Sequence, residues 1–253
     1  MTVSQLYAAL EKTFPKEYAC EWDNDGLMCA ADLNAEVRKV LCTLDVTKEA
    51  LEYAAANGFD TILSHHPMIF RPLCALTPEN HIAKKVIFAM QKKINVFSYH
   101  TRFDTMPGGM NDLLANAFGL TDVRAFSDGE SETGRVGVLT SEMSLEDFCF
   151  LVKDTLKCDV LSVSAYKSTV KTVAVLGGAG KDFIRGAIRA GADVLVTGEL
   201  SYNTMAEAAE MGITLIEAGH FFTENIICEY FAEKLANLGI ENACFCSNRI
   251  RVL

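Results

Sequence analysis

Strand-length apolar runs alternate with helix-length amphipathic stretches along almost the whole 253-residue chain. That rhythm makes βαβ units, in which largely parallel sheets are flanked by helices. Residues 38–45 read as a strand. Thr47 then caps a helix over 48–57 that ends at Gly58. A strand at 60–64, a helix at 81–93 and a strand at 94–99 follow. Gly108-Gly109 opens a helix over 110–118, closed by Gly119. The polar, turn-rich stretch 121–133 predicts a boundary between lobes. Beyond it come a strand at 134–140, a helix capped by Ser144 and running to Lys157, and a strand at 172–176. A helix to about Ala190, a strand at 192–197, a helix at 202–211 and a strand at 213–218 complete the pattern. A long helix at 221–238 and a last strand at 243–252 end the chain. The expected fold is α/β, with two α/β lobes at 1–125 and 126–253, no inserted middle domain, and a C-terminal segment able to return to the first lobe.

The balance of 33 acidic against 23 basic residues, a formal charge of −10, argues against a nucleic-acid binder, which needs a basic surface to displace counterions. No run reaches the roughly 18 to 20 apolar residues of a membrane span. The first 14 residues read as an amphipathic helix without a basic leader, so the expected location is cytoplasmic. Nine cysteines, scattered and without a Cys-x-x-Cys, read as buried, reduced thiols. The closest pair, Cys244-Phe-Cys246, is not a usual zinc knuckle.

Four of the five histidines stand just past a strand-like run. His65 and His66 follow the strand at 60–64, His100 follows 94–99, and His220 follows 213–218. In an open parallel sheet the carboxyl ends of the strands line the edge where ligands bind. Imidazole and carboxylate together form the ligand set of zinc, iron or manganese. His220 and Glu224 share a helix face at i, i+4 spacing, which is also the spacing of an ordinary surface contact. Successive strand residues point to opposite sides, so His65 and His66 bind one ion only if the backbone turns, and two ions otherwise. Asp104 adds a carboxylate after His100. His100 itself reads as a ligand, an orienting group or a proton shuttle. His81, at a helix start, reads as a surface residue.

Gly177-Gly-Ala-Gly-Lys181 lacks the Walker spacing. It reads either as a tight strand-to-helix turn or as a place where amides near Gly178 and Gly180, with Lys181, contact substrate phosphates. Glu199, at the end of a strand, reads as support for a ligand or as a helix cap. No Gly-x-Ser-x-Gly elbow occurs, and no cysteine has a histidine close in sequence, so a serine or cysteine nucleophile is not favoured.

The segments Trp22-Asp-Asn-Asp-Gly-Leu27, Leu44-Asp-Val-Thr47, Ser64-His-His-Pro-Met-Ile-Phe70, His100-Thr-Arg-Phe-Asp104, Gly108-Gly-Met-Asn-Asp112, Thr197-Gly-Glu199 and Ala218-Gly-His-Phe-Phe-Thr-Glu224 run across nearly the whole chain. In these segments, and in their order, the chain resembles the GTP cyclohydrolase I type 2 homologue family, the Ngg-interacting-factor-three-like dinuclear-metal proteins. The resemblance implies two divalent ions, with His66 and Asp104 on one, His65 and His220 on the other, and Glu224 bridging. It also implies two α/β lobes with the metal site between them, and a ring-shaped homohexamer. Two positions depart from the pattern. Ser201-Tyr-Asn203 stands where relatives often carry a histidine, and Arg102 stands where Asn is common, which predicts an altered pocket charge.

The expected activity is metal-dependent hydrolysis of a nucleotide-like small molecule, with GTP ring opening by metal-activated water as the specific form. In this reading Glu224 and His100 are the catalytic groups, and the ions are zinc, iron, manganese, nickel or cobalt. The alternatives are a non-catalytic metal-binding regulatory or interaction protein, and a dinuclear phosphoesterase or amidohydrolase.

Overall fold

The computed structural model describes residues 1–250. In chain order its helices are α1 Val3–Thr13, α2 Lys48–Ala56, α3 His81–Lys92, α4 Thr101–Thr105, α5 Met110–Ala117, α6 Leu145–Leu156, α7 Ile184–Arg189, α8 Tyr202–Met211, α9 His220–Glu224 and α10 Ile227–Asn237. Its strands are β1 Gly26–Cys29, β2 Lys39–Thr43, β3 Thr61–Ser64, β4 Asn95–Ser98, β5 Thr121–Phe126, β6 Gly134–Ser144, β7 Ser162–Ser164, β8 Thr169–Ala179, β9 Val194–Glu199, β10 Thr214–Glu217 and β11 Glu241–Phe245. They form an α/β fold of two sheets flanked by helices.

The first compact unit comprises Met1–Phe103 and Ile227–Ser247. Its sheet runs β1-β4-β3-β2-β11, with only the β1–β4 pairing antiparallel. Strand alternation assigns its two faces. Leu41, Ile62 and Val96 pack with Leu51 and Ala54 of α2 and with Val86 and Ala89 of α3. The opposite face is covered by α1 and α10, where Tyr7 meets Phe97 and the ring of Phe14 meets Phe231. Side chains cap these helices. Thr2 forms a capping box with Gln5, and Thr47 accepts from the amide of Ala50.

The second unit starts at Asp104 and runs to Ile226, with a short tail from Asn248. Its sheet, β5-β6-β8-β9-β10-β7, is mixed, because only β8–β9 and β9–β10 run parallel. The central strands are apolar on both faces, as buried parallel strands must be. Val173, Val175, Val194, Val196 and Ile216 face α5 and α6. Ala174, Leu176, Leu195 and Leu215 face α7 and α8. Each such Val, Leu or Ile side chain, when fully buried, contributes roughly 1.5–3 kcal/mol.

Three sequence expectations shift. The units divide at Phe103–Asp104, inside α4, and not near 125. The polar stretch at 121–126 is strand β5, paired antiparallel with β6, with only Phe126 buried. Exposure on both faces hid that strand from an apolar pattern. The helix expected over 221–238 is interrupted at Asn225–Ile226, where the chain passes from the second unit into the first. The last strand ends at Phe245, and part of the stretch expected for it lies outside the described residues.

Arg102 does not bear on pocket charge. Its side chain is 1% exposed and lies inside the first unit. Its Nε and Nη2 donate to the two carboxylate oxygens of Asp25 at 2.7 and 2.6 Å, and its Nη1 donates to Glu11 at 3.0 Å and to the Phe14 carbonyl at 2.8 Å. This bidentate geometry is the strong form of a guanidinium–carboxylate pair. Its positive charge is matched by Asp25, which is itself 3% exposed at the side chain. Replacing Arg102 by Met leaves Asp25 buried without its counter-charge. The expected cost is about 3–5 kcal/mol of unfolding free energy, read by urea denaturation. A loss under 1 kcal/mol would contradict this account.

Candidate metal centre

In the first unit β3 ends at Ser64 and the backbone turns immediately. The His65 amide donates to Thr43 O at 3.3 Å and the His66 amide to Leu44 O at 2.9 Å, while Ser64 Oγ donates to His66 O at 3.0 Å. The turn ends the strand alternation, so both imidazoles reach one side. Their ring centroids are 5.1 Å apart, and His100, two residues past β4, lies 5.2 and 5.6 Å from them. One ligand atom from each of the three rings lies within 4.8 Å of the others, a grouping that could hold a metal ion.

Each ring is fixed through its Nδ1. His65 Nδ1 is 2.9 Å from the Tyr99 carbonyl, His66 Nδ1 is 2.8 Å from Asp45 Oδ1, and His100 Nδ1 is 2.9 Å from Asp23 Oδ1. A carbonyl or carboxylate oxygen only accepts, so Nδ1 carries the hydrogen and the neutral ring presents Nε2 as its basic atom. Metal-binding histidines are oriented in this way. Asp23 does more than orient His100. It also accepts from the Thr101 amide at 3.0 Å and from the Thr101 hydroxyl at 2.6 Å. Burial pushes its carboxyl up, but the hydrogen bond and charge of His100, together with Thr101, outweigh that and hold it at about 2.

In the second unit the same device recurs at β10. The chain leaves the strand at Glu217, turns through Gly219 at φ 90° and starts α9 with His220. His220 Nδ1 is 3.2 Å from Glu199 Oε1, at the end of β9, and its Nε2 is 2.9 Å from Glu224 Oε2. Glu224 is 5% exposed at the side chain. A neutral His220 carries one ring hydrogen but faces a carboxylate at each nitrogen, so one of the two contacts sets a lone pair against a carboxylate. That contact is favourable only with a proton or a cation between the two acceptors. The donor set therefore suits a divalent cation. Glu199 supports His220 rather than capping α8, because Ser201 caps that helix by accepting from the Thr204 amide. Asp104, at the start of this unit, is held by its carbonyl, which accepts from Asn111 Nδ2 at 3.1 Å.

The glycine run is not a phosphate loop. Gly177 to Ala179 belong to β8, and their neighbourhood is already occupied. The Gly177 amide donates to Asn111 Oδ1, the Gly178 amide to Thr223 Oγ1 and the Gly180 amide to Glu199 O. Amides committed to the fold are not available to a phosphate. Lys181 is exposed, in a surface hollow with Asp182, Arg185 and Glu207. The glycine at 178 serves a different purpose. Its φ is +67°, and a Cβ there would stand 2.4 Å from Glu224 Oε1 and 3.3 Å from His220 Nε2. His81 begins α3 on the surface, as expected.

Sequence reasoning missed the orienting carboxylates Asp23 and Asp45. Both lie in segments that carry the family resemblance. Asp45 also stands just past β2, the same strand-end signal that marked the histidines.

Replacing Asp23 by Asn, or Asp45 by Ala, is expected to weaken divalent-metal affinity by about 10–100-fold, read by competition with a fluorescent chelator. His81→Ala serves as the unchanged control. Asp23 also has a pH signature. Its folded value of about 2 lies below the ordinary 3.8, so its stabilising contribution is complete above pH 3.8 and lost as the pH falls through about 2. Asp23→Asn should flatten the acid limb of the stability curve in that window. An unchanged acid limb would remove the pairing from the account.

A family model for Duf34/NIF3 (NGG1p interacting factor 3) matches residues 1–250. A GTP cyclohydrolase 1 type 2 homolog of Clostridium perfringens is 31% identical over 240 residues, covering 93% of this chain and 91% of its own length. One from Lactococcus lactis is 33% identical, with the same coverage of 93% and 91%. Among solved structures, reduced HcgD from Methanocaldococcus jannaschii superposes with a TM-score of 0.85 at 29% identity, over 96% of this chain and 97% of its own. A Bacillus cereus protein related to NIF3 shares the fold, with a TM-score of 0.88 at 23% identity over 100% and 99% of the two chains. The histidine-bearing strand ends thus stand in a chain that belongs to the DUF34/NIF3 family.

Proposed function

We propose that this chain is a divalent-metal-dependent hydrolase of a nucleotide-like small molecule, with hydrolytic opening of the GTP imidazole ring as its specific reaction. The observation that carries the reading is the common tethering of His65, His66, His100 and His220 through Nδ1, which leaves a basic Nε2 on the first three. Two divalent ions would be held by His66 and Asp104, by His65 and His220, and by Glu224 shared between them. Ions of this kind supply Lewis acidity and lower the pKa of water toward neutrality, so that a nucleophile exists near pH 7.

The chain's own groups have distinct tasks in this reading. Glu224, nearly buried, contributes negative charge where it is poorly screened. His100 moves a proton through Nε2, while Asp23 fixes its ring. Trp22 and Phe70 stand edge-on to His100 at 6.4 and 6.3 Å between ring centroids. Trp22 is 62% exposed, which gives a planar base an aromatic surface to lie against. In the hydrolysis, the oxygen of one water bonds to the imidazole carbon of the purine, a carbon–nitrogen bond breaks and the proton passes to the departing ring nitrogen; a second water releases that carbon as formate, and the diaminopyrimidine then condenses with the opened ribose, losing water, to give a dihydropterin. A homohexamer is the assembly proposed with this activity, and light scattering that returned a monomer would remove it.

The test is GTP turnover by metal-reconstituted protein, followed as the fluorescent pterin formed on oxidising the product. Wild-type protein is expected to give pterin, and Glu224→Ala to lose at least about 100-fold in rate. Metal loading has its own readout, because Trp22 is the sole tryptophan. Cobalt(II) binding should quench its emission in wild-type protein and not in His65→Ala/His66→Ala protein. Quenching without pterin would reject GTP as the substrate. No quenching and no bound metal would reject the metal reading itself.

A further inference from the structure

Cys42, Cys228, Cys244 and Cys246 gather in the first unit from two separate stretches of the sequence. The fold explains how. Cys42 on β2 is the register partner of Cys244 on the parallel neighbour β11. Partners in adjacent strands point to the same face, and so do residues two apart on one strand. Cys246, the first position but one beyond Cys244, therefore continues the same row as the chain leaves β11 at Phe245. Ala243 and Phe245, the alternate residues, pack into the opposite face with Leu41 and Ile62. Helix α10 lies over the cysteine face, and Cys228 is the second residue of that helix. Its carbonyl accepts from Cys244 Sγ at 3.3 Å, and its thiol is hydrogen-bonded to Cys246.

The sulfurs differ in access. Cys42 and Cys228 are buried, whereas Cys244 and Cys246 are exposed. The sequence expectation that all nine would be buried fails here because β11 is an edge strand. The cluster does not converge on a point as a metal site does. Among the described residues, no group of three or more metal-ligating side chains whose ligand atoms all lie within 4.8 Å includes a cysteine.

We propose that Cys228 and Cys246 are a dithiol site that closes to an intrachain disulfide by exchange with a low-molecular-weight disulfide. The exposed Cys246 loses its proton to solvent and attacks one sulfur of the small disulfide. The small disulfide's S–S bond breaks, a mixed disulfide forms on Cys246, and one small thiolate leaves and takes up a proton. Cys228, already in contact, then attacks Cys246 Sγ. The mixed S–S bond breaks, the Cys228–Cys246 bond forms, and the second small thiol leaves with the proton that Cys228 gave up. In balance, two protein thiols are oxidised by two electrons and one small disulfide is reduced to two thiols. The product ties the exit of β11 to the first turn of α10, closing the segment that brings the chain back into the first unit.

The setting favours a disulfide over a stable thiolate. Burial pushes the Cys42 thiol up, and burial with neighbouring sulfur holds Cys244 at about 11. The hydrogen bond to Cys246 and burial push Cys228 up. Strongly oxidising dithiols owe that property to a stabilised reduced form, and Cys228 carries no stabilised thiolate. Such a pair is accordingly a stable disulfide once made, and a slow one to make.

The test uses the full chain, reduced and then incubated with oxidised glutathione, alkylated under denaturing conditions and digested for mass spectrometry. The expected product is a peptide pair joined through Cys228 and Cys246, lost on treatment with dithiothreitol. The lone exposed Cys74 should carry at most a glutathione adduct. Cys246→Ser, at an exposed position, should abolish the link and leave the melting temperature of the reduced protein unchanged. Cys244→Ser should retain it. Glutathione remaining on Cys246 with Cys228 alkylated would overturn the proposal, as would an equal yield of intrachain link in Cys246→Ser protein.

Discussion

An imidazole is a dependable ligand only when its second nitrogen is held, and that constraint organises the functional parts of this chain. Each of four histidines sets its Nδ1 against an oxygen, three of them supplied by a strand end or by the segment just beyond one. Tyr99 follows β4, Asp45 follows β2, and Glu199 closes β9. Asp23, just ahead of β1, serves His100 in the same way. Sheet register therefore decides ring orientation. A one-residue slip of β2 against β3 would turn Asp45 away from His66 and at once invert the apolar face on which Leu41 packs. Core packing and ligand orientation are thereby enforced by the same hydrogen-bonded ladder.

Much of this is legible in the sequence because the relevant signals are local. A four-residue strand with an apolar centre, followed closely by a histidine, is visible without knowing its neighbours. So are the caps Thr47 and Ser144, each of which accepts from an amide in the first turn of its helix. What was not legible is contact order at long range. The pairing of Asp23 with His100 spans 77 positions, and that of Arg102 with Glu11 spans 91. A charged residue beside a metal motif reads as part of a pocket. Only the fold reveals that Arg102 turns inward to meet two carboxylates. Strand β5 escaped for a different reason, since five of its six residues are not buried and leave no apolar alternation to detect.

The glycine run shows how one local pattern supports two readings that geometry separates. Gly-Gly-Ala-Gly after a strand suggests an anion cradle, and a cradle needs amides that point outward and remain unspent. Here the amides of Gly177, Gly178 and Gly180 are consumed by Asn111, Thr223 and Glu199. The residues are small for another reason. Helix α9 approaches β8 so closely that Glu224 and His220 occupy the space a side chain at 178 would need. The run is thus a packing surface for the helix that carries His220 and Glu224.

The cysteines follow the same logic of register from the other direction. No sequence spacing joins Cys42 to Cys228, and a two-residue step from Cys244 to Cys246 marks only an edge strand. The parallel pairing of β2 with β11 and the return of α10 across them place all four on one face. Both the imidazole and the thiol groupings therefore depend on parallel register, which carries side chains remote in sequence to a common level. They differ in what surrounds the reactive atoms. Oxygen acceptors fix the imidazoles, whereas burial and neighbouring sulfur raise the thiols of Cys42, Cys228 and Cys244 and discourage thiolate there. The first environment favours a hard or borderline divalent cation, and the second favours a covalent sulfur–sulfur bond.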